Sequence, residues 1–203
     1  MNVTQGHDGS GPYTAGDLHA REDEGRGLEL EDGWPTEVSY GTAHNVACRR
    51  VHEFVEAATK EAGAAVYTAG GGSWQIGTPA GVRRPDVFVV PTRVIRDSFA
   101  DPSWILIPGR ELLLVVEVVL PGTGSERTDR VRKVEEYAAL GIPQYWIVDY
   151  TPVPKVQVFL LDDLSAYRLE RVVTAGEVLE VEAEAEADKP FTVRFDPQAL
   201  TEF

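Results

Sequence analysis

Between residues 112 and 120 the chain reads Leu-Leu-Leu-Val-Val-Glu-Val-Val-Leu, apolar throughout except for Glu117. A short Val- and Leu-rich run of this kind is the pattern of a strand covered on both faces. It is far below the roughly 20 residues needed to span a bilayer. A strand buried on both sides requires a layer above and a layer below it, so the chain is expected to be an α/β protein. The interruption matters as much as the run. An ionised carboxylate buried in an apolar strand costs several kcal/mol unless something pairs with it. A metal, a lysine or a structural arginine would each serve as the partner of Glu117.

The flanking sequence supplies the other elements. Apolar positions Val46, Ala47, Val51, Phe54, Val55 and Ala58 recur at helical spacing, predicting an amphipathic helix over residues 44–62 with Thr42 as N-cap and Gly63 as stop. Residues 28–40 read as a short strand pair around Gly33. Residues 66–76 read as strand, glycine turn, strand, and residues 85–90 as a short strand opened by Pro85 and Asp86. After a loop over 121–128, a second helix is expected over 129–140, closed by Gly141. Strands follow at 145–148, 155–161 and 167–173, and a pair of edge strands at 178–195, with the acidic tract at 182–187 as a solvated turn. The helix between residues 119 and 145 has the length that a crossover between parallel strands requires.

Residues 1–27 lack apolar periodicity and read as a flexible lead before one domain at 28–203. The start is polar and glycine-rich, with no basic segment followed by an apolar one. Cys48 is the single cysteine, which excludes an intrachain disulfide and a Cys-rich zinc site. A cytoplasmic, non-membrane protein is expected.

Charge constrains the partners. Nineteen Lys and Arg against thirty-three Asp and Glu give a formal net charge of −14. Such a balance argues against sequence-independent coating of nucleic acid, whose affinity comes from neutralising phosphates. The basic residues Arg83, Arg84, Arg93, Arg96, Arg110, Arg127, Arg130, Arg132 and Lys133 nevertheless gather in the middle of the chain, where a locally basic face could form.

Three residues carry the candidate chemistry. Glu117 and Asp86 lie at two apolar strands and could clamp a divalent cation, with the Val118 carbonyl as a further oxygen ligand. Asp86 alone is equally a turn-former after Pro85. Lys133 falls four residues after Asp129 and four before Tyr137, on one helix face. It is either half of a helical ion pair or an ammonium that steadies charge on a phosphate. The triple glycine at 70–72 opens no helix and is followed by no Lys-Ser/Thr pair, so it is not a phosphate loop.

The segments Arg84-Pro85-Asp86-Val87, Val115-Val116-Glu117-Val118, Asp129 with Lys133 and Tyr137, and Gly141-Ile142-Pro143-Gln144-Tyr145-Trp146-Ile147-Val148-Asp149, in this order, resemble the Uma family of restriction endonucleases, within the PD-(D/E)XK nuclease superfamily. Upstream, Leu28-Glu29-Leu30-Glu31-Asp32-Gly33 and His44 resemble its early Glu-Leu-x-x-Gly stretch and helix-opening histidine. The likeness spans residues 28–161. It implies a restriction-endonuclease-like mixed central sheet flanked by helices, with a C-terminal β meander. It also implies Mg²⁺- or Mn²⁺-dependent hydrolysis of DNA phosphodiesters, and a homodimer is the simplest arrangement for cutting both strands. Carried over, Asp86, Glu117 and Val118 hold the metal and Asp86, Glu117 and Lys133 are catalytic. Glu29, His44, Asp129 and Tyr137 are accessory. Glu29 is otherwise a solvated strand acid, and His44 a helix-start hydrogen-bonder.

Val119 stands where the superfamily's lysine usually does, and Lys133 on the following helix takes that part. Leu120 and Gly122 replace family serines, removing hydroxyls beside the site. These changes and the net charge keep open an alternative, a catalytically inactive nuclease-fold protein acting as a protein or nucleic-acid interaction module.

Overall fold

The computed structural model describes residues 11–19, 27–38, 41–71, 74–101, 106–119, 121–183 and 189–202. Leu120, Gly72, residues 184–188 of the acidic tract, and residues 1–10 and 20–26 of the expected lead lie outside the described residues. The elements run α1 (Ala15–His19), β1 (Leu28–Glu31), β2 (Trp34–Glu37), α2 (Thr42–Ala62), β3 (Val66–Gly70), β4 (Ile76–Thr78), β5 (Gly81–Arg83), β6 (Val87–Pro91), α3 (Thr92–Ala100) and β7 (Ile107–Pro108). They continue with β8 (Leu114–Val119), α4 (Gly124–Arg127), a π-helical turn (Thr128–Arg132), α5 (Lys133–Ala139), β9 (Gln144–Asp149), β10 (Lys155–Leu161), β11 (Tyr167–Thr174), β12 (Leu179–Ala183) and β13 (Phe191–Phe195).

The six-stranded central sheet has the order β11-β10-β9-β8-β6-β3. Strands β8 and β9 are parallel and the other pairs antiparallel, so the sheet is mixed. All six residues of β8 are buried. Because side chains alternate across a strand, β8 feeds two cores. Leu114, Val116 and Val118 pack with Ala47, Val51 and Val55 of α2. Val115 and Val119 join Tyr137 of α5, Phe88 and Tyr145 on the opposite face. Glu117 shares the parity of the second set and therefore points to the α5 side.

A smaller sheet, β2-β1-β5-β4-β7, carries Glu29 on β1 and Arg83 on β5. The β1–β2 hairpin turns through Asp32 and Gly33 at φ of 50° and 83°, the positive angles that a two-residue Asp-Gly turn demands. Helix α2 begins after Gly41, one residue before the expected cap, and stops at Gly63 in the left-handed conformation.

Several expectations are corrected. Residues 11–19 are not a loose lead: Leu18 of α1 is buried against Leu30 and Val82. The segment expected as a loop over 121–128 is helical from Gly124, although the Thr123 side chain does not cap it and pairs with the Ser125 hydroxyl instead. Glu126 accepts from the Gly122 backbone N–H at 2.9 Å. Strands β12 and β13 are not edges of the central sheet. They form their own two-stranded sheet, whose buried Leu179, Val181, Phe191, Val193 and Phe195 join the α2 core. Phe195 stacks on Phe54 at 4.6 Å between ring centroids. The short helix α3 was not read from the sequence. Among the described residues, no helix is long and apolar enough to cross a membrane.

Candidate active site

Strand β6 pairs with β8 only from Leu114 to Val116. Beyond that point the sheet gives Val118 no β6 partner, and side chains take over. The Val118 N–H donates to Asp86 Oδ2 at 2.8 Å. His44 Nε2, at the start of α2, lies 2.7 Å from the Val118 carbonyl oxygen and 3.4 Å from Asp86 Oδ2. Asp86 and His44 thus engage the two backbone polar groups of one residue, Val118, next to Glu117. Burial opposes protonation of His44, but the hydrogen bond and charge of Asp86, with the Val118 carbonyl, outweigh it and raise its pKa.

On the opposite face, the π-helical turn leads into α5 and delivers Lys133. Its ammonium lies 2.9 Å from Asp129 Oδ1, 3.1 Å from Glu117 Oε1 and 3.3 Å from Glu29 Oε1. The Tyr137 hydroxyl donates to Glu117 Oε1 at 2.7 Å. All five side chains are buried. Burial, together with the neighbouring acids, raises the Glu117 carboxyl well above the ordinary range despite Lys133. Asp129 is raised for the same reasons. Burial works against the Lys133 charge, but Asp129, Glu117 and Glu29 more than compensate, so the ammonium persists.

Behind Glu29 stands Arg83, with 0% of its surface exposed. It lies 3.2 Å from both Glu29 Oε2 and Glu31 Oε2 and donates through Nε to Glu136 Oε2 at 2.8 Å. The Arg84 backbone N–H donates to Glu29 Oε1 at 2.9 Å. Arg83 therefore ties the small sheet to α5, three residues from Lys133, and fixes the Glu29 carboxylate against the lysine.

The outcome for each sequence candidate is clear. Asp86, Glu117, Val118, Lys133, Glu29, His44 and Asp129 all border one cavity of about 340 Å³. Tyr137 sits behind it, reaching it through Glu117. Glu29 is buried, not a solvated strand acid. Arg83, read only as part of a basic face, is instead an internal strut. Arg130 and Arg132 are likewise engaged by acids, Arg130 with Glu126 and Asp149, Arg132 with Glu31. The basic run in the middle of the chain is therefore spent largely on internal pairing. Thr123 and Ser125 bring hydroxyls to the cavity wall.

The donor set suits a hard divalent cation. Asp86, Glu117 and the Val118 carbonyl, which keeps a second lone pair beside its bond to His44, are oxygen donors at one cavity. Glu29 and Asp129 border it with oxygens turned to Lys133. Burial first, and then the acids' mutual repulsion, raise the Glu117 and Asp129 carboxyls, and a bound cation would offset both.

A mixed sheet flanked by helices is a restriction-endonuclease-like fold, and here Asp86 and Glu117 stand at adjacent strands while Lys133 is carried on a helix. The sequence matches the Uma2 family, described as putative restriction endonuclease, over residues 15–192. The chain belongs to that family. Its fold is similar to a solved structure described as a putative nuclease belonging to DUF820 from Anabaena variabilis. The TM-score is 0.50 at 13% identity, over 74% of this chain and 76% of that one. No curated protein matches the sequence.

Proposed function

We propose that the protein is a divalent-metal-dependent endonuclease that hydrolyses DNA phosphodiester bonds in the cytoplasm. Asp86, Glu117 and the Val118 carbonyl would hold Mg²⁺ or Mn²⁺. The observation that carries this reading is the meeting of Asp86, Glu117 and Lys133, from three separate elements, at one cavity. Membership of a restriction-endonuclease family supports it. A bound divalent ion would supply positive charge at the scissile phosphate and acidify an attacking water.

The chain's own residues prepare that site. Lys133 balances the Glu117 and Asp129 charges in a buried setting where each alone would favour the neutral acid. Tyr137 fixes one Glu117 oxygen by donating to it. His44 and the Val118 N–H hold Asp86 in place. Glu29 and Asp129 share the ammonium, which restrains how far it can swing towards a phosphate. Two copies of the chain would offer one such site to each strand of a duplex.

A second reading has an observation of its own. With a net charge of −14 and Arg83, Arg130, Arg132 and Lys133 engaged internally, little basic surface from this run is left for a duplex. This favours an inactive nuclease-fold interaction module. Calorimetric titration with Mn²⁺ separates the two. The nuclease reading expects micromolar binding lost in Asp86→Asn, together with nicking of plasmid DNA. Weak binding indifferent to Asp86→Asn, with no nicking in any divalent ion, supports the module.

A further inference from the structure

A second cavity, of about 440 Å³, adjoins the first, since Asp86 borders both. One wall is the end of β3. Gly70, its last residue, pairs with Val87, and the Gly71 N–H donates to the Asp86 carbonyl oxygen at 3.3 Å. The other wall is α2, from which Asn45, Arg49 and His52 border the cavity. These fall at i, i+4 and i+7, along one helix face.

The two glycines shape the space. A Cβ on Gly70 would meet His52 Cδ2 at 2.7 Å, so only a glycine lets the imidazole lie against the strand. A Cβ on Gly71 would meet nothing within 4 Å, so the space over that residue is open to an incoming chain. Arg49 supplies the charge. Its side chain is 68% exposed and lies 3.5 Å from Glu53. An ion pair this exposed is worth little, so a phosphate can replace Glu53 at small cost. Arg49 also stands outside the basic run at 83–133, whose members are largely held by internal acids.

We propose that the second cavity holds the DNA strand beside the cut, with the Arg49 guanidinium on a backbone phosphate. This rests on the nuclease reading and assigns it a substrate-binding residue. A strand whose scissile phosphate sits between Asp86 and Lys133 passes directly into the second cavity, because the two share Asp86. From Asn45 to His52 the helix rises about 10 Å at 1.5 Å per residue, the length of about three phosphates on one strand. The planar fork of an arginine suits phosphate oxygens, while Asn45 offers a neutral amide to sugar or base. The contact is the same before and during cleavage, so it lowers KM without raising kcat. It also gives a chain of net charge −14 a local cation where the duplex must dock.

The test is fluorescence anisotropy of a labelled short DNA duplex with the full chain, Ca²⁺ replacing Mg²⁺ to suppress cleavage, across a salt series. Arg49→Ala should weaken binding roughly tenfold at low salt. It should also reduce the slope of log K against log salt by about 1, the signature of one lost phosphate contact. A structural role would not change that slope. Arg110→Ala is the control. Arg110 is 75% exposed beside Glu111, and it precedes β8 at the end away from Glu117, so its loss should leave the slope unchanged. In plasmid nicking, Arg49→Ala should raise KM and keep kcat. If wild type binds and nicks DNA while Arg49→Ala matches it in affinity and slope, or Arg110→Ala has an equal effect, this proposal is overturned and the nuclease reading stands. Wild type that neither binds nor nicks sinks both. Binding without nicking sinks the nuclease reading, and the Arg49 slope still decides whether the cavity holds DNA.

Discussion

Replacing Lys133 by Met leaves the acids of the site without their shared cation. Three carboxylate oxygens lie within 3.3 Å of its ammonium, and the lysine side chain is 5% exposed. Breaking a buried ion pair by deleting one partner costs about 3–5 kcal/mol, because an uncompensated charge remains. In a chain of this size each kcal/mol lowers Tm by about 2–4 °C, so Lys133→Met should melt roughly 6–20 °C below wild type at neutral pH. The acids can escape by taking protons. Glu117 and Asp129 already have raised carboxyl pKa values in the folded state, and loss of Lys133 raises them further. Between the unfolded and folded pKa values the folded state then binds more protons, so stability rises as pH falls. The deficit of Lys133→Met should therefore shrink towards pH 5. Adding Glu117→Gln to Lys133→Met should also recover part of it at neutral pH. Scanning calorimetry in a chelating buffer, which keeps stray divalent ions from standing in for the lysine, measures all of this. A small deficit, equal at pH 5 and pH 8 and unrelieved by Glu117→Gln, would refute the buried-charge argument.

Arg83→Met should cost about 3–5 kcal/mol by stranding Glu29, Glu31 and Glu136, read from urea unfolding. Tyr137→Phe should lose about 1–3 kcal/mol, since it removes the donor to a buried Glu117 oxygen, and should lower nicking with the fold intact by circular dichroism. Gly81→Ala should destabilise by about 1–3 kcal/mol. Its φ of 136° and a Cβ only 2.5 Å from the Leu30 carbonyl oxygen loosen the β1–β5 pairing, which faster amide exchange in β1 would report.

The site was legible in the sequence wherever the signal was local. Glu117 stood out because a charge interrupts an unbroken apolar strand, and Lys133 with Tyr137 followed from helical spacing. Arg83 was not legible, because its partners come from β1 and α5, far apart in the chain, and nothing beside it announces burial. The β12–β13 alternation was plain, yet its docking on α2 is a tertiary choice that a period-two pattern does not encode. The early start of the helix at Gly124 was masked by Pro121 and Gly122, because the contact that ties it down, from the Gly122 N–H to Glu126, leaves no local pattern of its own.

The most direct test of the central claim is nicking of supercoiled plasmid by purified wild type and Glu117→Gln in Mn²⁺. The substitution keeps shape and removes a charge that burial already disfavours, so the variant should melt near wild type. Wild type should relax the plasmid, stop when chelator is added, and lose activity in Glu117→Gln. Equal nicking by a pure, folded Glu117→Gln would show that the cavity between Asp86 and Lys133 is not where DNA is cut.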